Sequence, residues 1–240
     1  MSQGDVVEAK PLLEDVLVQF EALEDSWGTV VCLTALGISA QAWGDPAAAA
    51  AYFERVGFIT AELRLPAHHQ AHHLANLAIA YRQLGRHEAA FDASNEALRL
   101  ARESGRHSTA AFAQSDIARH LLDLGDVAQA AALVAESLLV LWEIGNNFDI
   151  TPVMELAAAV MSAGGPFEPA VRLFAAAAGL REAMPCPIGA GERATYEHWL
   201  AKVGAGLEEP AFTRAWTAGK AQSLSAAIAE ARAELAKMAR

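Results

Sequence analysis

Four glycines, Gly44, Gly85, Gly125 and Gly165, stand 41, 40 and 40 residues apart along the 240-residue chain. Each closes one run of apolar residues with helical spacing and precedes another. Before them come Leu33…Leu36-Gly37, Leu74…Leu77-Ala78…Tyr81, Ile117-Ala118…Leu121-Leu122 and Val153-Met154…Ala157-Ala158. After them come Ala49…Phe53…Val56, Ala90…Ser94…Ala97, Ala130…Val134…Ser137 and Ala170…Phe174…Ala177. Apolar residues at i, i+3, i+4 and i+7 mark amphipathic helices. A single pair of such helices cannot bury its apolar stripe, so a fixed period predicts stacked helix pairs.

The unit has a readable chemistry. The glycine suits the left-handed residue that ends the first helix of each pair. Asp45 and Asp126 follow two of these glycines and can cap the next helix through their carboxylates. Gly37, Ala78, Ala118 and Ala158 put a small residue in the middle of each first helix. Ala49, Ala90, Ala130 and Ala170 do the same where the second helix crosses it. Residues 7–23 read as the second helix of a partial repeat, either a capping helix or part of a longer chain.

Composition bounds the class. Hydrophobic residues make up 53% of the chain, much of it alanine, which favours order and helix. A net charge of −11 argues against phosphate backbones and anionic membranes. The two cysteines, Cys32 and Cys186, make no disulfide framework. No apolar stretch reaches the roughly 18 uninterrupted residues of a membrane span. The polar N-terminus lacks a signal-peptide pattern. These features predict a soluble, cytoplasmic protein.

The second unit, Leu74-x2-Leu77-Ala78-x2-Tyr81…Gly85…Ala90…Ala97, matches the tetratricopeptide signature, and the other units follow its pattern. The chain therefore resembles the tetratricopeptide family, with a repeat longer than the usual length of about 34 residues. More narrowly, it resembles the helical-repeat tails of bacterial signal-transduction ATPases and LuxR-type regulators. That likeness rests on Asp25-Ser26-Trp27-Gly28, Gly44-Asp45, Leu173-Phe174…Leu180-Arg181, Glu192-Arg193…Tyr196 and Ala215-Trp216…Gly219. Those regulators also carry a P-loop and often a DNA-reading helix-turn-helix. Lys10, Lys202, Lys220 and Lys237 lie in no GxxxxGK[ST] motif, so the likeness covers the repeat module alone.

The expected fold class is all-α: a right-handed α-solenoid of tetratricopeptide-like pairs with repeats of about 40 residues and a C-terminal helical cap. Residues 1–184 would form the solenoid, a partial repeat plus four units. Pro185 and Pro187 break the pattern, and residues 185–240 would form the cap. Its helices are expected near 191–205, 208–218 and 224–238, with Ser223 capping the last.

Two constellations could carry chemistry. His68-His69-x2-His72-His73 places two i, i+4 histidine pairs on one helix, each of chelating geometry. No third ligand is identifiable, and no metal site is assigned. The second constellation is the tetratricopeptide groove that the resemblance implies. It comprises His72, Asn76, Ile79, Arg82 and Gln83 in one unit and Phe112, Ser115, Arg119 and Leu122 in the next. These side chains suit a peptide held through its backbone and an acidic group. Trp27, Trp43, Trp142, Trp199 and Trp216 read as core and inter-helix packing.

No catalytic motif, cofactor motif or activated nucleophile appears, so the chain is not read as an enzyme. The reading is a protein- or peptide-binding module of a bacterial regulatory or signalling system, without cofactors. It expects no direct nucleic-acid or membrane binding and leaves homodimerisation open. The alternative is a small-molecule-sensing domain of a transcriptional regulator or signalling ATPase. An open groove would favour the first and an enclosed apolar pocket the second.

Overall fold

A computed structural model of the chain describes residues 3–183, 188 and 190–239, with side chains from Lys10 onward. Among these residues there are 12 helices and no strand. They are α1 (Gln3–Ala22), α2 (Ser26–Trp43), α3 (Pro46–Glu62), α4 (Ala67–Gln83), α5 (His87–Glu103) and α6 (His107–Asp123). Then follow α7 (Val127–Glu143), α8 (Asn147–Gly164), α9 (Phe167–Ala183), α10 (Ala190–Gly204), α11 (Glu209–Ala221) and α12 (Leu224–Met238). The expected period is present: α2/α3, α4/α5, α6/α7 and α8/α9 are successive helix pairs. Pro185, Cys186, Pro187 and Gly189, on which the expected break falls, lie outside the described residues.

Gly44, Gly85, Gly125 and Gly165 all adopt left-handed backbone, at φ 80°, 73°, 83° and 110°. At the first three, the glycine and the residue after it donate back to the last turn, as in Asp45 N to Ala40 O (2.9 Å) and Gly44 N to Gln41 O (3.1 Å). This is the Schellman arrangement, which satisfies carbonyls the helix leaves open. Asp45 and Asp126 cap the following helices through Ala48 N and Gln129 N. Ser223 caps α12 through Ala226 N.

A second series of left-handed residues punctuates the return from each pair to the next. It runs Glu24 (φ 53°), Arg64 (φ 50°), Gly105 (φ 68°) and Gly145 (φ 68°). All four make the same Schellman bonds, for example Leu65 N to Thr60 O and Asn146 N to Leu141 O. Only two of the four are glycine, so the glycine pattern alone does not reveal this series.

The chain divides into two compact units. One is Met1–Thr109 with Ile188–Arg193, the other Ala110–Pro187 with Ala194–Arg240. In the first unit, Leu17 of α1 joins Val30, Leu33, Leu36 and Val56 in one cluster, with Cys32 buried among them. A second cluster gathers Ala40, Ala49, Phe53, Leu77 and Ala80. The fully buried Phe53 ring rests against Gly37, where an added Cβ would lie 2.6 Å from the ring. The small residue there is required by the crossing of α2 and α3.

In the second unit, α8 is the central element, buried almost continuously from Ile150 to Ser162. Alanines lie on the helix-crossing faces of α8 and α9, and α12 packs on α7, α8 and α9. Gly219 of α11 approaches α9 so closely that a Cβ would overlap the Arg172 backbone carbonyl. Arg172 also binds Glu230 of α12, so α9 holds both terminal helices. Glu155 is a buried carboxylate paired in two-pronged fashion with Arg181, at 2.6 and 2.8 Å. A buried carboxylate requires such compensation.

Candidate partner-binding cleft

Within the first unit, α2, α3, α4 and the start of α6 enclose a cleft of about 360 Å³. Trp27, Val30, Val31 and Thr34 line it from α2, and Val56 and Thr60 from α3. His68, His69, His72 and His73 come from α4, Arg106 from the turn before α6 and Thr109 from its first turn. Asp25 positions Trp27 by capping α2, its carboxylate accepting from Gly28 N at 3.0 Å. Glycine at position 28 is needed because a Cβ would overlap the Phe20 ring of α1.

The cleft is open on one side. Trp27 is 49% and Val31 50% exposed, one helical turn apart, and Ile38 continues the exposed apolar line at 46%. Of the expected core and inter-helix packing, Trp27 therefore supplies only the inter-helix part. Its ring makes a T-shaped contact with His69 of α4 at 4.9 Å. Trp142 is also partly exposed, whereas Trp199 is buried. Periodicity could not separate these cases, because an exposed apolar stripe and a buried one share the same spacing.

The four histidines differ. His73 is buried with its ring against Gly57, and its Nδ1 lies 3.2 Å from the His69 carbonyl oxygen. Burial pushes its pKa down to about 4, so it is neutral near pH 7. His69 is held below the usual imidazole range by burial and then by the neighbouring His68, Arg106 and His72. The His68 and His69 rings lie 4.0 Å apart, and His72 is exposed. Among the described residues, no group of three or more His, Cys, Asp or Glu side chains is arranged to hold a metal ion.

The nine groove positions have separate environments. His72 lines the cleft. The Asn76 side chain donates to the His72 carbonyl at 2.9 Å, while the Asn76 backbone carbonyl accepts from the Gln41 side chain of α2 at 2.8 Å. Ile79 is half-buried. Arg82 and Gln83 both donate to Glu192 at the start of α10, each at 3.1 Å. In the second unit, Phe112 and Leu122 are half-buried, and Ser115 is buried with its hydroxyl donating to the Phe112 carbonyl at 2.7 Å. Arg119 is 8% exposed, with its guanidinium 4.4 Å from the centre of the Trp199 ring. Residues of α10 thus occupy Arg82, Gln83 and Arg119. Charge reversal at Arg119 would bury a carboxylate, so it tests folding and not recognition.

Paired amphipathic helices, left-handed turns at a fixed period and an open cleft with exposed apolar residues define a helical-repeat scaffold. Residues 68–138 match the tetratricopeptide repeat family. Such repeats generally mediate protein–protein interaction and are generally non-enzymatic. The fold is similar to that of BtubC (BKLC) from P. vanneervenii. The TM-score is 0.60 at 16% identity, over 97% of this chain and 90% of that chain. It is also similar to a Podosopora anserina chain assigned as a kinesin light chain of nearly identical TPR-like repeats. There the TM-score is 0.51 at 19% identity, over 87% of this chain and 95% of that one. No curated protein sequence matches the chain. No helix among the described residues is long and apolar enough to cross a membrane.

Proposed function

We propose that this protein is a non-enzymatic partner-binding module of a bacterial regulatory or signalling system, and that it holds a segment of another protein in the cleft of its first unit. The observation that carries this reading is the exposed apolar line Trp27, Val31 and Ile38 on α2, which runs into the cleft. Contiguous exposed apolar residues rimmed by polar ones favour protein contact. The regulatory setting rests on the sequence likeness to the tails of signal-transduction ATPases and LuxR-type regulators. The groove positions His72, Asn76 and Ile79 on α4 extend the same surface in this reading.

A second reading, small-molecule sensing, draws on the cleft volume, which falls in the range of roughly 300–1,000 Å³ found for small-ligand sites. The open side and the exposed Trp27 favour a protein segment. The test compares the wild-type chain with Val31→Asp in capture from a native lysate followed by mass spectrometry. A partner retained by the wild type and lost by a folded Val31→Asp supports the module. A co-purifying small molecule with no protein partner would support the sensing reading. Equal capture by both chains would remove the cleft from the account.

A further inference from the structure

The left-handed return residues Glu24, Arg64, Gly105 and Gly145 give the repeats a common register. Val16, Val56, Ala97 and Ser137 each stand eight residues before one of them, as 16 to 24, 56 to 64, 97 to 105 and 137 to 145. Val56, Ala97 and Ser137 are buried, but Val16 is 38% exposed. One turn earlier, Tyr52 and Leu133 are half-buried and Ala93 is buried, but Leu12 is 67% exposed. At the position between them, Phe53, Ser94 and Val134 are buried, and Leu13 is only half-buried.

What covers these positions is visible in α3. Val56 clusters with Val30, Leu33 and Leu36 of α2, and the Phe53 ring rests on Gly37 of α2. The cover is the first helix of the same pair. By register α1 is the second helix of a pair, and no first helix precedes it among the described residues. Helical spacing puts Leu12, Val16 and Leu23 on one line with Gln19, about 16 Å long, and places Asp15 on its flank. None of these residues lines the cleft, so this face is separate from it.

We propose that α1 is a docking face for an amphipathic helix of a partner protein, which lies where the first helix of the pair would lie and lengthens the stack by one element. The repeat itself specifies that helix. It has about three turns or more to match the exposed line. Its apolar residues recur at i, i+3, i+4 and i+7, as in other helices laid into a groove. It carries Gly or Ala opposite Leu13, as α2 carries Gly37 opposite Phe53.

Charge decides what borders its apolar line. Glu14, Asp15, Glu21 and Glu24 are exposed on α1 and at its end. Lys10 pairs with Glu14 and Arg55 with Glu21, which leaves the border acidic. A partner helix edged by Lys or Arg complements it. A second copy of α1 would bring the same carboxylates against themselves, and like-charge contact disfavours that pairing.

The test selects from a phage-displayed library of helix-forming peptides against the whole chain. The library fixes apolar residues at helical spacing and randomises the remaining positions. Selected peptides are then measured by fluorescence anisotropy. They are expected to carry Lys or Arg beside the apolar line and Gly or Ala at its centre. Val16→Asp should lower their affinity by about tenfold or more, because the added helix would bury a carboxylate. Asp15→Lys should weaken binding and reduce its salt dependence. Val31→Asp, in the cleft, should leave it unchanged. Circular dichroism checks folding, and Leu12→Ser, at a more exposed place, should weaken binding severalfold should Val16→Asp fail to fold. Selection of no peptide, peptides with neutral or acidic borders, or peptides indifferent to Val16→Asp or Leu12→Ser would each overturn the inference. So would sedimentation showing a dimer that either variant dissociates, which assigns the face to a second copy. The cleft reading stands or falls separately, on Val31→Asp.

Discussion

The guanidinium of Arg82 donates to a carboxylate oxygen of Glu192 at 3.1 Å, across 110 positions of sequence, and Gln83 donates to the same oxygen at 3.1 Å. One carboxylate at the start of α10 thus gathers two neighbouring side chains from the end of α4. The Arg82 side chain is largely buried while that of Glu192 is 40% exposed, so solvent screens part of the attraction. Glu192→Ala is expected to destabilise the protein by about 1 kcal/mol or less, and Glu192→Gln, which keeps an acceptor, by less still. The gap between the two should narrow in high salt. Urea denaturation at two ionic strengths checks this.

Gly37→Ala and Gly85→Ala should both destabilise, for different reasons. In Gly37→Ala the helix gains about 1 kcal/mol in propensity, but the methyl group meets the Phe53 ring, and overpacking of about 1–3 kcal/mol outweighs it. Gly85 has open space around it but a φ of 73°, so alanine there meets only backbone strain of about 1–2 kcal/mol. Phe53→Leu should therefore rescue part of the first defect and none of the second. Double-mutant cycles read by thermal denaturation distinguish them, with a coupling of about 1 kcal/mol expected for Gly37 alone.

Arg64 occupies left-handed backbone at φ 50° with its side chain exposed, at the position where later repeats carry Gly105 and Gly145. Glycine there removes strain of about 1–2 kcal/mol and gives back about 0.5–1 kcal/mol in chain entropy. Arg64→Gly should raise stability by a few tenths to about 1 kcal/mol. A fall in melting temperature would show that the arginine makes a contact outweighing its strain.

His73 gives the fold a pH dependence of definite sign. Its folded pKa, lowered to about 4 by burial, lies below the ordinary value of 6.5. The unfolded chain therefore takes up the proton first. Stability from this site is complete above about pH 6.5 and is lost as pH falls towards 4, by about 3 kcal/mol in all. His69, lowered in the same direction, adds to the slope. Denaturant titrations between these pH values should show the loss. His73→Gln, which can still donate to the His69 carbonyl, should flatten most of it before the carboxylates begin to titrate.

The helices were legible because their signals are local and repeated. Gly44, Gly85, Gly125 and Gly165 end helices through their own φ angles. Asp45, Asp126 and Ser223 cap through bonds to an amide three residues on. Apolar spacing shows which face of each helix turns inward. None of these features depends on where distant segments lie, so the repeat and the order of the helices could be read directly from the residues. The return turns were half hidden, since Glu24 and Arg64 adopt a conformation that their side chains do not advertise.

The environment of the groove residues is another matter. Nothing near Arg82 or Gln83 announces Glu192, and nothing near Arg119 announces the Trp199 ring. The same helical spacing that suggested Trp27 as packing leaves it half exposed beside Val31. These outcomes depend on which remote segment covers which helix face, a competition among non-local contacts that sequence periodicity does not encode. Only the tertiary structure brought Trp27, the four histidines and Arg106 around one space, because they come from α2, α4 and a turn that share no sequence pattern.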